Sequence, residues 1–290
     1  MDIKEDRMLE KIKDYLKLLR VKHYIKNFLV FLPLFFGGNL FDGNRLVRAI
    51  LAVICFCLVS SSVYILNDCR DIEKDRKHPT KKNRPLASGK IKKKEAMILL
   101  AAILSIAFIL SILLGSMSGT LCLFLYLVLN VAYSMGLKNK PIVDIVILAS
   151  GFVIRVFYGG LITGITISKW LYLVVTTGSL YMGLGKRRNE LRTQTDTREV
   201  LKYYNESFLD KNMYVCVALV NVFYALWTLE MPSKEISWTI PIVIVILMCY
   251  SLDIEGNSEG DPVEVILKDK ILIALILIYV AIVFSFLYII

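Results

Sequence analysis

Long apolar stretches, separated by short segments that carry nearly all of the charge, limit how this chain can fold more than any other feature. A helix needs about 20 mostly apolar residues to cross the hydrocarbon core of a bilayer. Nine candidate spans are present, at 25–40, 46–66, 96–114, 119–135, 142–162, 170–185, 213–229, 238–252 and 271–290. The first is interrupted by Pro33, and the eighth is short. With a hydrophobic fraction of 56%, the sequence predicts an all-α integral membrane bundle of about nine transmembrane helices.

Basic residues are distributed unevenly between the predicted spans. Segments 1–26, 67–95 and 186–212 hold eight, eleven and seven of them, whereas the alternate loops hold at most one each. Loops rich in lysine and arginine stay in the cytoplasm. We therefore expect a multi-pass protein of the cell (inner) membrane, with its N-terminus and its active site facing the cytoplasm.

No internal repeat or soluble segment divides the chain, so residues 1–290 are predicted to form a single transmembrane catalytic domain. Residues 1–24 place Leu9, Ile12 and Leu16 at helical spacing among charges, which is typical of an amphipathic helix on the cytoplasmic membrane surface. The six cysteines form no CxxC pair and are expected to be reduced packing residues. The membrane is a predicted partner, nucleic acid is not, and the sequence does not set the oligomeric state.

An acidic motif follows the second predicted span. Asp68, Asp71 and Asp75 are spaced so that a continuing helix would project all three carboxylates from one face. Three anions this close are tolerable when a cation neutralises them, and oxygen-only ligation suits Mg²⁺ bound to phosphate oxygens. We predict that these aspartates are catalytic and hold Mg²⁺, with Asn67 beside them binding substrate. The alternative is a solvated helix end whose acids pair with neighbouring basic residues.

Basic and polar side chains elsewhere in the chain are candidates for binding an anionic substrate. Arg84 follows the acidic motif in a segment where two prolines and a glycine rule out a continuous helix. Arg155 lies inside an apolar span, where an arginine normally faces a cavity or a partner. A structural ion pair with Asp144, eleven residues earlier, is the alternative for Arg155. The full set of predicted substrate-binding residues is Asn67, Lys22, Lys26, Arg84, Tyr133, Lys138, Asp144, Arg155, Lys186 and Arg187.

The spans together with the Asn67-Asp68-x-x-Asp71-x-x-x-Asp75 motif resemble the UbiA-type superfamily of intramembrane prenyltransferases. Several segments are similar to its polyprenyl-phosphate phosphoribosyltransferase branch. They are Arg20 to Asn27, Val30 to Leu34, Tyr133-Ser134 with Leu137-Lys138, Gly185 to Leu191, and Gly260-Asp261-Pro262 with Leu267-Lys268-Asp269. The resemblance implies helices around a central cavity, open to lipid, in which Mg²⁺ bridges aspartates to a diphosphate.

This resemblance implies transfer of a 5-phosphoribosyl group from phosphoribosyl diphosphate to a polyprenyl phosphate lipid. Typical prenyltransferases of the superfamily carry a second full acidic motif, whereas the second polar region here offers only Asp144, beside Lys138 and Arg155. Extra basic residues suit a reaction with three anionic groups. One alternative is transfer of a prenyl group from a prenyl diphosphate to an aromatic or quinone-precursor acceptor. The other is a non-catalytic transporter, whose acidic clusters would lie at mid-membrane.

Overall fold

The computed structural model describes residues 3–193, 198–256 and 262–289, and within these ranges the chain is helical without strands. Gly260 and Asp261, quoted above for the resemblance, lie outside these ranges. The α-helices are α1 (Ile3–Leu19), α2 (Leu32–Phe36), α3 (Gly43–Arg70), α4 (Ile72–Arg76), α5 (Lys93–Leu113), α6 (Met117–Met135), α7 (Val143–Thr163), α8 (Lys169–Thr193), α9 (Glu206–Glu230), α10 (Ile240–Glu255), α11 (Pro262–Lys268) and α12 (Lys270–Tyr288). Short 3-10 helices connect several of them.

Seven helical segments in the described part of the chain are long and apolar enough to cross a membrane, so the protein is a multi-pass membrane protein. They are α3, α5, α6, α7, α9, α12, and α10 with the 3-10 turn that precedes it. The predicted count of nine is not confirmed, because the stretches 25–40 and 170–185 do not meet this description. The second of them forms most of α8, whose last turns are charged and buried against other helices.

The stretch 25–40, which the sequence marks as interrupted by Pro33, is not one continuous α-helix and is not among the seven spans. It consists of a 3-10 helix, Val21–Phe31, followed by the short α2, with Pro33 in the first turn of α2. This segment packs closely on α7, where a Cβ atom on Gly159 would lie 2.0 Å from the carbonyl oxygen of Val30. Only glycine permits this approach, which holds the irregular first segment against the bundle.

Two large apolar clusters form the core. The first lies between α3, α5, α6 and α7 and includes Phe56, Leu123 and Tyr158. The second joins α8 to α9, α10 and α12 and includes Met213 and Ile254. All six cysteines are free in the structure, and Cys55, Cys57 and Cys69 are buried.

Helix α1 carries apolar side chains on more than one of its sides. Leu18 is buried against α3 and α5, and Asp14 lies 3.4 Å from Lys90 Nζ. Ile12 and Leu16, on another side of the helix, remain exposed. The chain therefore leaves one apolar face of α1 uncovered at the end of the bundle that carries the acidic motif.

Candidate active site

A polar cavity of about 430 Å³ opens at the end of the bundle where α3 ends and α7 begins. Its wall carries seven basic and four acidic side chains, which gives it a net positive charge at neutral pH. The lining residues are Arg20, Asn67, Asp68, Arg70, Asp71, Lys74, Asp75, His78, Lys81, Arg84, Tyr133, Ser134, Lys138, Asn139, Arg198 and Glu199. Such a wall favours a ligand with several negative charges.

The acidic motif reaches the cavity through a bend in the chain. Helix α3 ends at Arg70, Asp71 caps it, and α4 begins at the next residue. The backbone N–H of Asp75 donates to the carbonyl oxygen of Asp71 over 2.8 Å, so the helical direction is nearly kept across the bend. Asp68 and Asp75 are buried, Asp71 is half-buried, and all three line the cavity, as the spacing predicted.

Two arginines pair with Asp68 and Asp75 of this motif. Arg84 Nη1 lies 3.1 Å from Asp68 Oδ1 and 2.7 Å from Asp75 Oδ2, so one guanidinium bridges two carboxylates. Arg20 Nη2 lies 2.6 Å from Asp68 Oδ1, and its guanidinium stacks over the ring of Tyr64. Arg20 has a φ of +53°, a left-handed backbone conformation that is uncommon for residues other than glycine. The local backbone thus turns this side chain toward the acidic motif.

The donor set of the motif fits Mg²⁺. Within the described ranges, no three His, Cys, Asp or Glu side chains converge closely enough to hold a metal ion by themselves. Three aspartates and the amide of Asn67 nevertheless face one cavity, and Mg²⁺ usually takes one or two carboxylates together with waters and substrate phosphates. The Arg84 guanidinium between Asp68 and Asp75 marks a position where a cation is electrostatically favoured.

The end of α6 supplies another part of the wall, next to the acidic motif. Ser134 donates a hydrogen bond to Asn67 Oδ1 and thereby ties α6 to the acidic motif on α3. Tyr133 and Lys138 line the same wall, the latter from a 3-10 turn after α6. The structure thus brings the acidic motif next to the polar residues Tyr133, Ser134 and Lys138, which are distant from it in the sequence.

Arg187 lies behind this wall and is completely buried. Its Nε is 2.5 Å from Asp144 Oδ2, its Nη1 donates to Glu190, and its Nη2 donates to the phenol oxygen of Tyr133 over 3.0 Å. The Tyr204 hydroxyl donates to Asp144 Oδ1 over 2.6 Å. Burial and this hydrogen bond raise the pKa of Tyr204 above its ordinary value near 10, so its hydroxyl remains a donor.

Arg155 occupies a separate buried position in the bundle. Its Nε donates to Asn27 Oδ1 over 2.8 Å, and its Nη1 donates to the carbonyl oxygen of Gly151 over 2.7 Å. The guanidinium also lies 4.7 Å from the ring centroid of Phe56 and 5.1 Å from that of Tyr126. Asp144 is paired with Arg187 instead, so the ion pair considered for Arg155 and Asp144 does not form.

Seven of the predicted site residues line the cavity, namely Asn67, Asp68, Asp71, Asp75, Arg84, Tyr133 and Lys138. Six do not: Lys22, which is exposed, Lys26 and Lys186, which are half-buried, and the buried Asp144, Arg155 and Arg187. Two cavity arginines that pair with site residues, Arg20 and Arg198, were absent from the predicted set. Arg198 stands in a basic segment where nothing distinguishes it from neighbours that set topology. Arg20 begins one of the segments that carry the family resemblance, but its left-handed conformation leaves no trace in the composition.

Comparison with known proteins agrees with this arrangement. Residues 29–200 match the model of the UbiA prenyltransferase family. The chain is 34% identical to decaprenyl-phosphate phosphoribosyltransferase of Mycolicibacterium smegmatis, over 93% of this chain and 91% of that protein. It is also 34% identical to the enzyme of that name from Corynebacterium glutamicum, over 91% of this chain and 84% of that protein.

The fold also resembles solved structures. A UbiA homolog from Archaeoglobus fulgidus, bound to GPP and Mg²⁺, superposes with a TM-score of 0.73 at 20% identity, over 94% of this chain and 99% of that chain. Fold, acidic motif and sequence similarity over nearly the whole chain lead to one assignment. The chain belongs to the UbiA prenyltransferase family, in the branch of the decaprenyl-phosphate phosphoribosyltransferases.

Proposed function

We propose that this protein transfers the 5-phosphoribosyl group of phosphoribosyl diphosphate to a polyprenyl phosphate and releases diphosphate. The observation that carries the proposal is the 34% identity to decaprenyl-phosphate phosphoribosyltransferases over 93% of the chain. The positive cavity supports it, because the donor brings a diphosphate and a 5-phosphate and the acceptor brings a further phosphate. The chemistry fits a cavity with more basic than acidic residues.

Asp68, Asp71 and Asp75 are the residues that would hold Mg²⁺, since all three carboxylates line the cavity. When bound there, Mg²⁺ stabilises the negative charge that develops on the departing diphosphate. Arg84 lies beside these aspartates on the cavity wall and would be within reach of the phosphates of a bound donor. Its planar guanidinium suits bidentate contacts with them.

The reaction breaks the bond between ribose C1 and the diphosphate oxygen and forms a bond from C1 to a phosphate oxygen of the lipid. The attacking phosphate is already ionised near neutral pH, so no strong general base is needed. Attack from the face opposite the leaving group predicts inversion at C1. Tyr133, Lys138 and Arg84, which all line the cavity, keep the anions aligned, and this lowers the entropic cost of the encounter.

We also propose that the cavity opens to the cytoplasm and that α1 lies on that membrane surface. The support is the excess of basic residues in the segments at this end and the uncovered apolar face of α1.

This orientation is tested by labelling single cysteines. Lys82→Cys, in the loop after the acidic motif, and Lys234→Cys, between α9 and α10, place exposed thiols at opposite ends of the bundle. In sealed inside-out vesicles, a membrane-impermeant thiol reagent should label the first variant above the wild-type background and not the second. The reverse pattern would contradict the orientation.

The activity is tested with purified protein in lipid nanodiscs, Mg²⁺ and a polyprenyl phosphate. With phosphoribosyl diphosphate labelled in the ribosyl group, we expect the label to enter the lipid fraction and diphosphate to be released in equal amount. Geranyl diphosphate with an aromatic acceptor serves as the competing donor pair. If the protein consumed that pair but did not consume phosphoribosyl diphosphate, prenyl transfer would replace our proposal. Omitting the lipid is the control for simple hydrolysis.

A further inference from the structure

The phenol oxygen of Tyr133 receives two charged donors on the cavity wall. Arg187 Nη2 donates to it over 3.0 Å and Arg198 Nη1 over 3.1 Å. A phenol oxygen has two acceptor positions and one proton to donate. With both acceptor positions filled, the hydroxyl can add only one further hydrogen bond, and in that bond it must be the donor.

The Tyr133 proton has no acceptor among the residues that the structure describes, although the side chain lines the cavity. Polar hydrogens in such positions are satisfied by water or by a ligand. The two guanidiniums withdraw electron density from the phenol oxygen and so strengthen its O–H as a donor. A phosphate oxygen in the cavity is the acceptor that this arrangement suits.

Arg187 itself cannot reach that ligand. It is completely buried, and its three nitrogens are engaged by Asp144, Glu190 and Tyr133. The sequence suggested a direct anion contact for Arg187, whereas the geometry gives it a different task. A lysine at this position would keep the charge but could not span three partners in fixed directions.

We infer that Arg187 is a positioning residue that acts through Tyr133. Anchored by Asp144 and Glu190, it orients the Tyr133 hydroxyl to donate a hydrogen bond to a phosphate oxygen of the substrate. The inference rests on the proposed function only in taking the cavity ligand to be a diphosphate. Diphosphate is released whichever group is transferred, so a diphosphate-binding test does not depend on the identity of the donor.

The test is the affinity for inorganic diphosphate with Mg²⁺, measured by calorimetric titration of the wild type, Tyr133→Phe, Arg187→Lys and the double variant. A hydrogen bond to a charged group is worth enough to change affinity about tenfold or more, so each single variant should bind at least about tenfold more weakly. Because Arg187 acts through Tyr133, replacing both residues should cost no more affinity than replacing one. The double variant should therefore bind diphosphate at least as tightly as whichever single variant has the lower affinity. Wild-type affinity in Tyr133→Phe, or multiplied losses in the double variant, would overturn the inference.

Arg188→Lys is the matched control. Arg188 is the next residue on α8, is also buried, and pairs with Asp210 over 2.5 Å without contacting Tyr133. Its replacement should leave the affinity for diphosphate unchanged. If Arg187→Lys does not fold, Glu190→Gln takes its place among the single and double variants. This change weakens the contact between Arg187 and residue 190 and keeps the ion pair between Arg187 and Asp144. Losses that multiply between Glu190→Gln and Tyr133→Phe would equally contradict the inference.

Discussion

Arg84 Nη1 lies 2.7 Å from Asp75 Oδ2, so the loop that follows the acidic motif folds back and supplies the motif with its own counter-ion. The same nitrogen lies 3.1 Å from Asp68 Oδ1. A guanidinium that lines the cavity therefore lies between two of the three aspartates of the motif. A binding cation and Arg84 then compete for the same two carboxylates.

Replacing Arg84 with alanine should make the protein more dependent on Mg²⁺. Without the guanidinium, Asp68 and Asp75 repel each other until a cation binds, so Mg²⁺ stabilises the folded protein more than it does in the wild type. We expect a larger Mg²⁺-induced rise in the thermal midpoint and a KM for the donor about tenfold higher or more. Thermal scans with and without Mg²⁺ measure the first effect and initial rates the second. An unchanged Mg²⁺ response would show that Arg84 does not compete with the metal.

Asp68→Asn and Asp71→Asn should each lower kcat by about a hundredfold or more, because each removes a negative ligand from the proposed site for Mg²⁺. The fold should survive, since asparagine has nearly the same shape. Asp42→Asn is the control: Asp42 caps the other end of α3, and asparagine caps helices equally well. Steady-state rates over a range of Mg²⁺ concentrations provide the readout. Normal turnover in either motif variant would rule out the proposed role of the aspartates.

Arg155→Met should destabilise the protein while leaving its affinity for the donor near that of the wild type. Arg155 contacts Asn27 and Gly151 and does not line the cavity, so its loss leaves Asn27 Oδ1 without its charged donor. We expect a cost of about 1–3 kcal/mol, visible as a lower thermal midpoint in nanodiscs. A normal midpoint with weaker donor binding would instead favour the substrate contact that the sequence suggested.

Tyr204→Phe should alter how stability depends on alkaline pH. Burial and the hydrogen bond to Asp144 raise the pKa of Tyr204 in the folded state, so between the unfolded value near 10 and the higher folded value only the folded protein keeps this proton. The stabilisation is complete below about pH 10 and is lost as the pH rises through the folded pKa. The difference in thermal midpoint between wild type and Tyr204→Phe should therefore shrink from pH 9 to pH 11. A constant difference would contradict this linkage.

The sequence by itself determined the class of the fold and the location of the acidic motif. Apolar length and loop charge are local properties, and they sufficed to predict most of the helices and a polar end that carries Asp68, Asp71 and Asp75. The helical spacing of these three carboxylates, nearly kept across the bend between α3 and α4, also sufficed to bring them to one cavity. Similarity of the motif and its surroundings was enough to indicate the family.

Only the tertiary structure decided which basic side chains face the cavity and which lie behind it. Arg84 and Arg187 look alike in the sequence, yet the first lines the cavity and the second is sealed behind Tyr133. The pairing of Asp144 with Arg187 joins residues on two helices, so no helical periodicity within α7 could have revealed it. The physical reason is that partners on other helices set the direction of a charged side chain in a bundle. The residues next to it in the sequence do not specify those partners.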